Sequence, residues 1–188
     1  TPKPSSAASD VYKRQQFRVS TQHAPQHRHT RIVITLDDGR DLRFLDQRTF
    51  GGLTLAPLVD GIPGPVTHIA PDPFEECFDV DEVVRRLCAR RSAIKRSLLD
   101  QTLVSGIGNI YADETLWRVR CHPETPCSRL SQSEAVELLQ TACDVMAEAM
   151  SQGGTSFDSL YVNVNGESGW FSRVLDAYGR EDEPLPPM

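Results

Sequence analysis

With 188 residues, 39% of them hydrophobic, the chain is long enough to build one ordinary domain or two small ones around a core. No apolar run approaches the roughly 18 residues that span a bilayer, and no charged start followed by an apolar stretch marks a leader, so a cytoplasmic protein without a membrane partner is expected. The net charge of −6 argues against nucleic-acid affinity spread over the whole surface, and five cysteines at irregular spacing argue against a disulfide framework and for reduced, mostly buried thiols.

Residues 1–16 mix Pro, Ser and charge without a hydrophobic period and read as a disordered or foreign segment. From Arg31 to Leu45 two β-prone runs flank Asp37-Asp38-Gly39, a hairpin signal because the turn needs residues that accept positive φ. The Gly- and Pro-rich stretch 51–75 reads as a strand end leading into a linker. Beyond it the period becomes helical. Asp79 or Asp81 can cap a helix carrying Val83, Val84 and Leu87, and Ser92 can cap a second carrying Ile94, Leu98 and Leu99. The glycines Gly106 and Gly108 precede a third helix, Asn109 to about Arg120. Ser131-Gln132-Ser133-Glu134 is a capping box opening a long fourth, with Val136, Leu139, Cys143, Met146, Ala147 and Met150 on one face and Gly153-Gly154 as its stop. The fold class is therefore α+β, strands first and helices second.

Charge is unevenly placed. Six cations (Arg85, Arg86, Arg90, Arg91, Lys95 and Arg96) fall in twelve residues without an acid, either a solvated helix face or a binding surface. Cys121 and Cys127, with His122 beside them, are too far apart for a zinc knuckle. Ser92-Ala93-Ile94-Lys95 fits a Ser-x-x-Lys pattern, but neither Ser-Asp-Asn nor Lys-Thr-Gly accompanies it, so no nucleophilic serine is expected.

The stretch LLDQTLVSGIGNIYADETLW, residues 98–117, places two glycines and an asparagine between two helices. A helix N-terminus exposes unpaired N–H groups and glycines admit a close neighbour, so the turn can receive a phosphate; spacing alone favours a plain helical corner in which glycine serves only as a cap. The string resembles the helix-two-turns-helix (H2TH) motif of the formamidopyrimidine-DNA glycosylase and endonuclease VIII family. Four further strings stand in family order with it. Asp46-Gln47-Arg48-Thr49-Phe50-Gly51 resembles the loop that fills the gap in the duplex. Gly153-Gly154-Thr155-Ser156-Phe157-Asp158 and Asn165-Gly166-Glu167-Ser168-Gly169-Trp170-Phe171 resemble the loop covering an extruded base, in the form of the formamidopyrimidine branch. Ala177-Tyr178-Gly179-Arg180 resembles the lead-in to a zinc finger.

The resemblance implies a partial N-terminal β-sandwich over 17–70, an H2TH domain with a base-covering loop over 71–178, and a truncated zinc-finger lead-in over 179–188. It implies base excision repair: removal of oxidised purines such as 8-oxoguanine and formamidopyrimidines from double-stranded DNA, with lyase action at abasic sites, by a nucleoid-associated monomer. Arg48 would meet the orphaned cytosine and Phe50 would wedge beside it. Asn109, Gly106, Gly108 and Lys95 would grip phosphates, with His29 touching backbone, and Thr155, Ser156, Phe157, Asn165 and Gly166 would cover the base. Family members attack the sugar with the amine of an N-terminal proline, followed by a glutamate, whereas this chain opens Thr1-Pro2-Lys3-Pro4 with Pro2 in an amide. The expectation is a piece with no catalytic residue, and with no metal because the family's four zinc-binding cysteines do not appear, binding DNA weakly without cutting it. The alternatives are a noncatalytic nucleic-acid-binding H2TH module and a structural protein without a nucleic-acid role.

Overall fold

The computed structural model describes residues 15–59, 61–154, 169–171 and 175–180. These fall into two compact units: those within Thr1–Leu55 and Ala149–Val174, and those within Ala56–Glu148 and Leu175–Met188.

In the first unit, strands β1 (Gln15–Thr21), β2 (Thr30–Thr35) and β3 (Arg40–Asp46) form an antiparallel sheet with β3 in the centre. The sheet starts two residues earlier than the sequence suggested, because Gln15 pairs with Asp46 and Gln16 with Leu45. The expected hairpin joins β2 to β3. Gly39 turns the chain at φ +79°, and Leu36 N–H donates to the Arg40 carbonyl at 2.8 Å. Phe44 and Leu45 are buried on β3, and the Phe17 and Phe44 rings meet at 5.1 Å across the strands. Arg43 is also buried. Its two terminal guanidinium nitrogens donate to the carbonyls of Thr21, Ala24 and Pro25 and to Asp41, so the loop after β1 closes around a buried cation, whose Nε alone is left without a partner among the described residues.

The second unit opens with a short ribbon of β4 (Leu58–Val59) and β5 (Ile62–Pro63), where the sequence suggested only a linker. Helices follow: α1 (Val80–Cys88), α2 (Ile94–Leu98), α3 (Asn109–Arg118) and α4 (Gln132–Ser151), the last crossing into the first unit's residues. Asp79 caps α1, accepting from Glu82 N–H at 3.0 Å, and Val83, Val84 and Leu87 are buried as expected.

Ser92 does not cap α2. Its hydroxyl turns inward to Ser97 at 2.8 Å, which in turn accepts from the Cys127 thiol. The first α2 amides instead find carbonyls across the fold: Ile94 N–H donates to Thr125 and Lys95 N–H to Pro123. The capping box of α4 forms as read, with Glu134 accepting from Ser131 N–H at 2.8 Å and Ser131 Oγ accepting from Glu134 N–H. Its buried face, however, is Ala135, Leu138, Leu139, Ala142, Val145, Met146 and Ala149, while Val136, Ala147 and Met150 are exposed. The observed stripe is rotated by about one residue from the expected one, because Ala135, Ala142 and Ala149 share the buried face with Leu138, Leu139, Val145 and Met146.

Leu87, Ile94, Leu98, Leu103, Val104 and Ile107 form the centre of this helical core. All five cysteines are free, Cys127 buried, Cys88, Cys121 and Cys143 half-buried, and Cys77 exposed, so the expected burial holds less far than the reduced state. No described helix is long and apolar enough to cross a membrane.

Candidate nucleic-acid interface

Between α2 and α3 the chain makes a turn whose geometry is set by one side chain. The Gln101 carboxamide accepts from Gly106 N–H at 2.9 Å and donates to the carbonyls of Ile107 at 3.0 Å and Leu99 at 3.2 Å. Gly106 sits at φ +86° and is buried, and a Cβ there would lie 2.9 Å from the Met146 methyl. Glycine is therefore required by both backbone and packing. Gly108 is different: its dihedrals are ordinary and nothing lies within 4 Å of where a Cβ would be, so its missing side chain leaves open space at the mouth of α3. No side chain caps the α3 N-terminus, and Asn109, its first residue, is exposed. Amide donors, the positive end of the helix dipole and a carboxamide thus face an unobstructed surface.

The neighbouring cations are largely engaged. Arg85 pairs with Glu82, Arg90 with Asp100 at 2.7 Å, Arg86 donates to the Thr102 carbonyl, and Lys95 Nζ lies 2.6 Å from Asp113 on α3. Only Arg91 and Arg96 of the six are exposed without a partner among the described residues. Lys95 reaches a phosphate only by leaving Asp113.

In the first unit, Arg48 and Phe50 occupy the loop after β3. Both are exposed, Phe50 at 68%, and the Arg48 guanidinium has no partner among the described residues. The carboxylate of Asp46, 1% exposed, accepts from Gly51 N–H at 2.7 Å, from Arg48 N–H at 2.9 Å and from Gln15 Nε2 at 3.2 Å. His29 passes behind, its carbonyl accepting from Asp46 N–H and its ring from Arg28 Nε. Desolvation, then the positive charges of Arg28, His27 and Arg31, hold the His29 imidazole below its ordinary pKa. Thr155, Ser156, Phe157, Asn165 and Gly166 lie outside the described residues.

Asp46 and Asp100 both titrate below the usual carboxylate range. Burial alone pushes each up, but it is outweighed by hydrogen bonds, from the loop amides and Gln15 at Asp46 and from Thr102 and Arg90 at Asp100. A depressed folded-state pKa contributes stability that is complete above the unfolded value, about 4, and is lost as pH falls through the lower folded values. Urea midpoints are expected to be insensitive to these groups from pH 7 to 5 and to fall on further acidification, with a shallower acid limb in Asp46→Asn and Asp100→Asn. An acid limb equally steep in both variants overturns this assignment.

Two residues that sequence reasoning passed over complete the second unit. One is Gln101; the other is Glu114 on α3, fully buried, whose carboxylate accepts from the backbone N–H groups of Asp176, Ala177 and Tyr178 at 2.8–2.9 Å. Glutamate within an alternating polar helix gives no sequence signal of burial. Gln101, two residues into a polar turn, gives none either.

Residues 69–160 match the family model described as the formamidopyrimidine-DNA glycosylase H2TH domain. Over 164 residues the chain is 60% identical to a formamidopyrimidine-DNA glycosylase from Mycolicibacterium vanbaalenii, an overlap of 85% of this chain and 56% of that relative. The chain belongs to the formamidopyrimidine-DNA glycosylase/endonuclease VIII family, in its formamidopyrimidine branch.

A second glycosylase of that name, from Rhodococcus jostii, is 55% identical over 175 residues, covering 91% of this chain and 60% of the relative. The chain thus spans a little over half the length of these curated glycosylases. Among solved structures, the complex of Lactococcus lactis formamidopyrimidine-DNA glycosylase with abasic-site DNA aligns at a TM-score of 0.77 and 30% identity, covering 92% of this chain and 63% of that one. The Thermus thermophilus protein aligns at 0.76 and 33%, covering 92% and 64%. The α+β order, a small sheet and then the helical H2TH region, is the order of the family's fold. Zinc belongs to the family by resemblance. Among the described residues no group of three or more His, Cys, Asp or Glu side chains could hold a metal.

Proposed function

We propose that this chain supplies the DNA-gripping part of a base-excision-repair glycosylase acting on oxidised purines, such as 8-oxoguanine and formamidopyrimidine, and on abasic sites in duplex DNA. The observation that carries the reading is the uncapped, unobstructed α3 N-terminus, with exposed Asn109 behind a Gly106 turn braced by Gln101. The Lactococcus lactis relative, of the same fold, is seen in complex with abasic-site DNA.

In this reading the α3 amides and Asn109 bind phosphate oxygens on either side of the lesion, which positions the protein without reading sequence. An enzyme acting on a stacked base must extrude it, and Arg48 and Phe50 offer the rigid donors and the aromatic face that replace the lost pairing and stacking. Thr155, Ser156, Phe157, Asn165 and Gly166 are proposed to cover the extruded base. Base removal and strand cleavage are proposed for the whole protein, working as a cytoplasmic monomer on the nucleoid.

Asn109→Ala is expected to weaken binding to abasic-site duplex about tenfold, the scale of one hydrogen bond to a charged oxygen. Fluorescence anisotropy measures it, and unchanged affinity removes Asn109 from the grip. Lys95→Gln tests the neighbouring cation. If Lys95 leaves Asp113 for a phosphate, the slope of log affinity against log salt falls by about one. An unchanged slope leaves Lys95 as an internal partner of Asp113.

A further inference from the structure

We propose that Asp46 is the positioning residue of the wedge loop: its buried carboxylate ties the loop's backbone so that Phe50 and Arg48 stand ready in solvent before DNA arrives. This rests on the reading above, that the loop enters the duplex.

An exposed phenylalanine on a free loop would fold back on nearby apolar surface, because burying it is favourable and nothing in solvent opposes that. Here the loop is prevented from doing so. Two amides, those of Arg48 and Gly51, converge on one carboxylate, and Gln15 Nε2 supplies a third donor. A carboxylate is the side chain suited to this, since it only accepts and offers about four lone-pair sites. An asparagine in its place would turn an NH₂ group toward one of those donors.

Asp46 is itself fixed from both sides. Its N–H donates to the His29 carbonyl at 2.9 Å, and its own carbonyl accepts from Arg31 Nε at 2.9 Å. The far end of the loop is pinned as well: a Cβ on Gly51 would lie 2.6 Å from Phe44 Cζ and collide with the Gln15 carboxamide, so the returning chain lies flat on the sheet. Between these anchors Thr49 is held at φ +57°, a conformation β-branched residues rarely adopt. A strained residue between anchored neighbours marks a backbone shape imposed by its surroundings. The shape leaves Phe50 68% exposed. Ordering the wedge in advance removes that cost from the binding step.

The test uses the 188-residue chain, a duplex with an abasic-site analogue opposite cytosine and flanked by 2-aminopurine, and the intact duplex. Wild type is expected to prefer the abasic duplex and to change the 2-aminopurine signal as the ring enters. Asp46→Asn is expected to lose about tenfold of that preference and the fluorescence change, while binding to intact duplex keeps its salt dependence. In the DNA-free protein, amide exchange at Arg48 and Gly51 should accelerate in the same variant. Full retention of the preference, or an equal loss on both duplexes, overturns the proposal. Phe50→Ala separates the two levels: if it leaves abasic binding and fluorescence untouched, the wedge reading itself fails and takes the role of Asp46 with it. Should Asp46→Asn not fold, Gln15→Leu removes one donor and spares the loop amides. It is expected to shift the preference in the same direction by less, and no shift counts against Asp46.

Discussion

Glu114→Ala is expected to cost about 3–5 kcal/mol of unfolding free energy, the range for stripping a buried charged partner from the groups it satisfies. The carboxylate has no exposed surface and its two oxygens take all three amides of the 176–178 turn. Alanine would leave those N–H groups facing a cavity beside the middle of α3. Glu114→Gln keeps the shape and one acceptor oxygen but points an amide at a donor, so a smaller loss, about 1–3 kcal/mol, is expected. Urea unfolding of the two variants checks the order. A loss below about 1 kcal/mol for the alanine variant would mean that the turn does not depend on this carboxylate.

Gly106→Val should cost about 2–4 kcal/mol, combining a left-handed backbone that a β-branched residue resists with overpacking against Met146. Gly106 sits at φ +86° with the Met146 methyl 2.9 Å from the position a Cβ would take. The methionine can yield in part; the dihedral cannot. The turn relaxes by turning Gly106 N–H away from Gln101, which also frees the carboxamide from Ile107 and Leu99. DNA affinity should therefore fall with stability, where Gly108→Ala, placed in open space with ordinary dihedrals, should leave stability almost unchanged. A thermal melt of both variants makes the comparison, and equal losses would show that the two glycines serve the same purpose.

What the sequence makes legible is local. The Asp38-Gly39 hairpin, the Asp79 cap and the Ser131–Glu134 box each satisfy their hydrogen bonds within a few residues, so their residue types announce them. The Gly106-to-Asn109 turn and the Arg48–Phe50 loop were legible for another reason, their resemblance to a family, and the structure shows both exposed Arg48 and Phe50 and an open α3 N-terminus.

The features that escaped reading depend on partners distant in the chain. Ser92 fails as a cap because Thr125 and Pro123 reach the α2 amides first. Lys95 reads as a free cation until α3 brings Asp113 beside it. The α4 stripe was misphased because alanines carry little hydrophobic weight but allow close helix approach. Nothing in the sequence marks Asp46 as the loop's anchor, because only the curl of the loop brings the Arg48 and Gly51 amides onto it.

The Glu114 anchor also has a consequence in time. Its nearest hydrogen-bond partner in the chain comes 62 residues later, so during synthesis α3 emerges well before the amides that will satisfy its buried acid. At the usual pace of translation the interval is about 3–12 s, far longer than a helix needs to form. Through that interval the nascent helical unit carries a carboxylate that water must solvate, and its last donor comes only when Tyr178 arrives.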